Sequence, residues 1–235
     1  MSNPLIIAHR GVATHAPENT ISAFAAAIAQ QADMIELDVR KTKDQRLVVH
    51  HDAYLSDHLI RGLTYGEILS LNPQIPTLES VLKETAGKIS LNIELKEIGD
   101  EKSVLENMLN YFSINDFVIS SFYSAAIQTI QQQDSRIRTG QLFSANDARW
   151  LAECVLTQPP FLTESNRKAS RAYGDIWVLH WQLLQSDIWQ QIKLQQREIW
   201  VWTVNEPVLL RSLLQDGHIH GIITDRVEVA RALKG

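Results

Sequence analysis

The sequence predicts an α/β chain closed into a single (β/α)8 TIM-type barrel, with an extra antiparallel hairpin arm after the second strand, on three observations. Eight short apolar runs recur along the 235 residues, each separated from the next by a longer, largely amphipathic stretch. The runs are rich in Ile, Val, Leu and aromatics, the pattern of strands buried on both faces. Charged and polar residues follow the ends of several runs, and the C-terminal ends of strands are where a parallel barrel gathers its reactive groups. A doubly wound open sheet is the alternative that the same alternation allows.

The strand runs are residues 5–8, 34–39, 89–95, 117–121, 139–143, 176–179, 199–204 and 221–224. After the first, Pro17-Glu18-Asn19 leads into good helix formers over 20–30, where Asn19 is either the helix cap or a contact to the site. A ninth strand-like run at 47–51 lies too close to Val39 for a parallel crossover of a dozen residues. It therefore returns antiparallel around 42–45. With the turn centred near Lys43-Asp44, Glu36 stands opposite His51, Asp38 shares their face, and His50 points away. Residues 53–75 are the expected short, irregular insertion. The stretch 146–173 is expected to hold two helices, and 207–215 a helix opened by Pro207 and stopped near Gly217. No linker or low-complexity tract breaks the alternation, so residues 1–235 are read as one domain.

Composition narrows the function classes. Hydrophobic residues make up 45%, charged residues 21%, and the formal net charge is −5, so no nucleic-acid partner is expected. No apolar run approaches a bilayer span, so no stable membrane insertion is expected. Met1-Ser2-Asn3-Pro4 leads straight into the first strand without a basic or apolar leader, the expectation for a cytoplasmic protein. The single cysteine, Cys154, excludes an intramolecular disulfide and reads as a small buried hydrophobe. Nothing in the sequence commits the chain to an oligomeric state.

The strand ends carry His9-Arg10-Gly11, Glu36-Leu37-Asp38, Glu94-Leu95-Lys96, Ser120-Ser121-Phe122, His180, Trp202 with Asn205, and Asp225. The hairpin arm adds His51-Asp52. Three carboxylates on one buried face need compensation. One divalent cation, Mg2+ or Ca2+, would supply it, because both prefer oxygen ligands; ion pairs with Arg10 and Lys96 are the purely structural reading. Two histidines in the same place can move protons near neutral pH. Trp202 either walls a pocket or packs in the core. His218 and His220 have metal-like spacing but precede the last strand, on the face that stabilises rather than reacts.

Read in order, His9-Arg10-Gly11, Pro17-Glu18-Asn19-Thr20, Glu36-Leu37-Asp38-Val39, His51-Asp52 and Glu94-Leu95-Lys96 resemble the signature of the glycerophosphodiester phosphodiesterases. The resemblance continues through Pro76-Thr77-Leu78-Glu79, Ser120-Ser121-Phe122, Trp202-Thr203-Val204-Asn205 and Ile223-Thr224-Asp225. It implies a small glycerophosphodiester as substrate, a metal on Glu36, Asp38 and Glu94, His9 and His51 as the acid/base pair, and Arg10 and Lys96 on the phosphate oxygens. Asn19 and Trp202 are candidate pocket residues. Either the neighbouring glycerol hydroxyl or water is the nucleophile, and either histidine the base. A phospholipase D-like activity on lysophospholipids and a barrel that binds a phosphorylated metabolite without turnover are the rival readings. Two departures stand out: Gln31 and Gln45 occupy positions where relatives carry glycine. The insertion after His51-Asp52 is also short beside the subdomain many relatives place there.

Overall fold

The computed structural model describes residues 3–14, 16–157, 173–195 and 197–234. Eleven strands are present among them: β1 Leu5–His9, β2 Met34–Lys41, β3 Leu47–Val49, β4 Tyr54–Leu55, β5 His58–Leu59, β6 Ser90–Leu95, β7 Phe117–Ser121, β8 Arg138–Phe143, β9 Ile176–His180, β10 Glu198–Trp202 and β11 Gly221–Thr224. Each of the eight apolar runs becomes a barrel strand, with ends displaced by at most two residues. The parallel order is β1-β11-β10-β9-β8-β7-β6-β2, and β2 also pairs with β1. That last pairing closes the ring and excludes the open sheet.

Alternation along each strand divides the core in two. Outward residues such as Ile6, Ile35, Leu37, Ile93 and Ile119 pack under the surrounding helices. Inward residues Ile7, Met34, Val118, Ile176, Trp200 and Ile223 fill the barrel. Gly221 is required there: a Cβ would come within 2.7 Å of the Trp200 ring, its neighbour in register. The same inward parity that places Ile7 and Met34 in the core brings His9, Glu36 and Asp38 to the C-terminal mouth.

The hairpin arm is antiparallel as expected, but its register differs by one residue. Asp38 stands level with His50, through the His50 N–H to Asp38 carbonyl bond of 3.0 Å, and β3 stops at Val49. The cause is the turn. Thr42 and Arg46 close it through a 2.9 Å backbone bond, leaving three residues in the loop, with Gln45 left-handed at φ +64°. A three-residue loop of this kind is centred on Asp44 rather than between Lys43 and Asp44.

Residues 53–75 are more regular than expected. They hold the β4–β5 hairpin, a 3-10 turn at Ile60–Gly62 and the helix Tyr65–Leu71, begun by a capping box between Thr64 and Glu67. Val48, Ile60, Ile68 and Ile75 make their own small core. The helix expected over 20–30 runs Ile21–Ala29, and Thr20 caps it, its hydroxyl accepting from the Ala23 N–H. Pro207–Gln215 is a helix with Pro207 in its first turn and the Glu206 carboxylate as cap. Of the two helices expected between 146 and 173, Ala148–Thr157 is present, and the second falls on 158–172, outside the described residues. Among the described residues no helix is long and apolar enough to cross a membrane.

Candidate active site

A cavity of about 550 Å3, counting its open mouth, sits at the C-terminal end of the barrel. His9, Arg10, Glu36, His51, Glu94 and Lys96 form its polar wall, and Phe122, Leu142, Trp202 and Ile223 its apolar wall. Eight of the nine residues given a site role by the resemblance therefore line the cavity or join its charged cluster, Asp38 being buried just behind the polar wall. Asn19 is the ninth, and it lies outside the cavity lining.

His9 ends β1, and its Nδ1 lies 2.7 Å from Asp225 Oδ1. Since the carboxylate can only accept, Nδ1 carries a proton and Nε2 is left to exchange one. Asp225 is itself clamped by Asn205, whose amide donates to Oδ2 at 2.5 Å and whose Oδ1 accepts the Asp225 N–H at 2.9 Å. This is the physical content of the Trp202-to-Asn205 and Ile223-to-Asp225 motifs: each holds an end of the support for His9.

His51 follows the hairpin arm, with Nδ1 2.8 Å from Asp52 Oδ1. Its carbonyl accepts two bonds from the Arg40 guanidinium, at 2.9 and 2.7 Å. Burial and the Lys96 charge lower the His51 pKa below the usual imidazole range. The ring reaches the cavity because the chain leaves the sheet after Val49, not because β3 extends to it.

Glu36, Asp38 and Glu94 each offer a carboxylate oxygen, and the three oxygens lie within 4.8 Å of one another. All three residues are buried. Burial and the Asp38 and Glu94 charges hold the Glu36 carboxyl well above the ordinary range. Burial and the Asp38 charge push Glu94 up to about 7. Asp38 goes the other way: burial opposes its ionisation, but Lys96, Arg10 and the Asn19 amide outweigh it and lower the pKa. Lys96 stands 2.6 Å from Glu94 and 3.3 Å from Asp38, and Arg10 Nε 3.2 Å from Asp38. Two cations leave three buried carboxylates short of neutral, and burial holds Glu36 and Glu94 above the ordinary range. Three crowded oxygens of this kind fit a hard divalent ion.

The segment from Pro17 to Thr20 holds these groups in place. Glu18 takes the Arg10 guanidinium at 2.8 Å, and Asn19 donates to Asp38 Oδ2 at 2.8 Å from a left-handed backbone at φ +58°. Asn19 is thus Asp38's partner, and the helix cap passes to Thr20. Arg10 is left-handed as well, which turns its N–H onto Glu36 Oε2 at 3.0 Å. Gly11 follows at φ +82°, where a Cβ would meet the Ala23 backbone at 2.7 Å.

Trp202 lines the cavity, edge-on to Phe122 with centroids 5.6 Å apart and to His180 at 5.1 Å. His180 stands behind it, outside the cavity lining. His218 pairs with Asp216, and His220 accepts from the Ile199 N–H, both away from the cavity. Three residues escaped notice in the sequence: Arg40, Asn92 and Glu97. Asn92 carried a usable signal, being a polar residue at inward parity two places before Glu94 in a run otherwise read as buried. Arg40 and Glu97 carried none, because their pairing at 2.8 Å joins two strand ends far apart in sequence.

Comparison with known proteins places this architecture among described ones. The model of the Glycerophosphoryl diester phosphodiesterase family matches residues 9–229. YhdW of Bacillus subtilis is 33% identical over 94% of this chain and 93% of its own. The Glycerophosphodiester phosphodiesterase of Caldanaerobacter subterraneus is 28% identical over 95% of both. The crystal structure of glycerophosphodiester phosphodiesterase from Thermotoga maritima superimposes with a TM-score of 0.79 at 26% identity, covering 99% of each chain. An Oleispira antarctica phosphodiesterase, solved in complex with the product sn-glycerol-3-phosphate, shares the fold with a TM-score of 0.78 at 23% identity, covering 98% of this chain and 96% of that one.

Proposed function

Because this chain belongs to the glycerophosphoryl diester phosphodiesterase family, we propose that it hydrolyses small glycerophosphodiesters to sn-glycerol 3-phosphate and an alcohol, in one catalytic domain spanning the chain. One observation supports this above the rest. Two histidines, each with Nδ1 held by a carboxylate, open onto the cavity that Glu36 and Glu94 border and Asp38 backs.

Glu36, Asp38 and Glu94 are proposed to hold one divalent cation, Mg2+ or Ca2+, which supplies Lewis-acid charge to the phosphate oxygens. Arg10 and Lys96 act on the same oxygens. A phosphodiester is already anionic and gathers more charge in its transition state, so fixed cations in a partly dry cavity stabilise that state selectively. Glu18 and Asp38 fix the Arg10 fork, and Glu94 fixes the Lys96 ammonium.

His9 and His51 are the proton carriers. One imidazole takes the proton from the attacking hydroxyl, whether of glycerol or of water, and the other gives a proton to the departing alkoxide; where glycerol attacks, water then opens the resulting cyclic phosphate with the two proton transfers reversed. Asp225 and Asp52 hold the Nδ1 proton of each ring, so that Nε2 is the nitrogen that takes or gives a proton. The depressed pKa of His51 favours a neutral ring near pH 7, which suits it to start as the base. His9 then starts as the acid, with Asp225 stabilising its imidazolium.

The test is release of glycerol 3-phosphate from glycerophosphocholine and glycerophosphoethanolamine with Mg2+, with Ca2+ and with chelator. Release that needs a divalent ion supports the reading. Full release by metal-free protein removes the cation role, and no release from either substrate removes the reaction.

A further inference from the structure

Two polar side chains in the cavity have no part in the chemistry proposed above. Asn92 is 1% exposed and Ser120 fully buried. Nδ2 and Oδ1 of Asn92 and Oγ of Ser120 have no hydrogen-bond partner, yet both residues line the cavity. Buried polar groups without partners are destabilising and uncommon. The barrel itself does not call for them: Val118, level with Asn92, is apolar, and Gly140, level with Ser120, carries no side chain.

Their placement is specific. Asn92 precedes Glu94 by two residues on β6 and is level with Glu36, so it faces the interior one layer deeper, about 6–7 Å further down the strand. Ser120 on β7 is level with Glu94. Together they form a neutral strip beside the charged wall, at the levels of Glu36 and Glu94. Leu142, Trp202 and Ile223 complete the same cavity with carbon.

The chemistry of this pair selects its ligand. An amide offers two donors and an acceptor, a hydroxyl one donor and two lone pairs, and neither carries charge. An anionic group in this cavity is drawn to Arg10 and Lys96, and a divalent cation to the carboxylates. A neutral alcohol, which donates and accepts at once, is what Asn92 and Ser120 can satisfy together. Glycerol also presents C–H edges, which the apolar wall can cover.

We propose that Asn92 and Ser120 form a hydroxyl-binding subsite for the terminal hydroxyl of the glycerol moiety, the one that takes no part in the reaction. The proposal rests on the hydrolytic reading and extends it to substrate class. A lysophospholipid acylated at that hydroxyl has no O–H to donate, and its chain has no room against side chains that are buried. The subsite therefore selects deacylated glycerophosphodiesters over such lysophospholipids.

The test compares glycerophosphoethanolamine with the analogue in which only the terminal hydroxyl is replaced by hydrogen, the neighbouring hydroxyl being kept. Wild-type protein should favour the glycerol substrate by at least about 10-fold in kcat/KM, since a site built to bond a hydroxyl discriminates against its absence. Ser120→Ala and Asn92→Leu should each shrink that ratio about 5-fold or more, by losing more on glycerophosphoethanolamine than on the analogue. Asn92→Leu should melt no lower than wild type, because an isosteric apolar group replaces an unpartnered amide. A wild-type ratio near one overturns the subsite while leaving the hydrolytic reading intact. So does an equal loss on both substrates, whether or not excess Mg2+ restores it. Hydrolysis of neither substrate overturns the hydrolytic reading and the subsite with it. The wild-type ratio decides the matter even where a variant fails to fold.

Discussion

Arg40 donates from Nε and from a terminal nitrogen to the backbone carbonyl of His51, at 2.9 and 2.7 Å. Its remaining terminal nitrogen meets Glu97 at 2.8 Å; Glu97 and Asp100 share Arg61, and Lys41 reaches Asp100 at 2.6 Å. A bidentate charge-assisted pair of this kind fixes direction as well as distance. The His51 backbone lies beyond the end of β3, so this guanidinium substitutes for the missing ladder.

Arg40→Met should therefore lower kcat by about 10-fold while KM changes by no more than about 3-fold, since misplacing a reacting group costs turnover rather than binding. Arg40→Lys should recover only part, having no fork. Steady-state kinetics on folded variants checks this, and a KM effect that dominates, or full rescue by lysine, contradicts the positioning role.

Gln31 and Gln45 adopt φ of +58° and +64°, the left-handed region that favours glycine. The left-handed backbone costs a non-glycine residue about 1–2 kcal/mol, partly offset by the greater freedom of glycine when unfolded. Gln31→Gly and Gln45→Gly should each stabilise the fold by about 0.5–1 kcal/mol. Denaturant midpoints at constant slope measure it, and destabilisation by either glycine refutes the strain.

Asp33 ties the two ends of the chain together. It accepts the Ile6 N–H at 2.7 Å and faces Arg231 at 2.5 Å and Lys234 at 3.4 Å. Although burial opposes ionisation, these partners lower its pKa below the ordinary 3.8. A lowered carboxylate pKa stabilises the fold above the unfolded value and loses that contribution as pH falls through the folded one. Wild type should thus lose about 1 kcal/mol through this group below pH ~4, a figure discounted for partial solvent exposure. Asp33→Asn should be less stable than wild type at pH 7, and the gap should narrow in acid. A gap independent of pH excludes the ionic origin.

Cys154 is 1% exposed, and burial pushes its thiol up to about 11. Thiolate is scarce at pH 8, so labelling by a disulfide reagent should wait for denaturant. Cys154→Ser should leave turnover intact. Rapid labelling of native protein, or a large activity loss in a folded serine variant, contradicts a purely packing role.

The sequence carried the barrel because buried strands announce themselves: all eight runs from 5–8 to 221–224 lie in the closed ring. It carried the cluster because Glu36, Asp38 and Glu94 share an inward parity that pairing then brings together. The register of the arm was out of reach, since it turns on whether Gln45 accepts a left-handed backbone. Asn19 was ambiguous for a related reason. Asn and Thr both cap helices, and only the tertiary contact to Asp38 assigns Asn19 elsewhere and leaves the cap to Thr20. Arg40 meets His51 and Glu97 only after the fold is complete.

The measurement that bears most directly on the proposed reaction is divalent-ion-dependent release of glycerol 3-phosphate by wild type, His9→Ala and His51→Ala, with melting curves showing all three folded. Loss of about 10²-fold or more in kcat for each variant is the predicted result, the scale of a missing general acid or base. Wild-type turnover in either variant would contradict the two-histidine account.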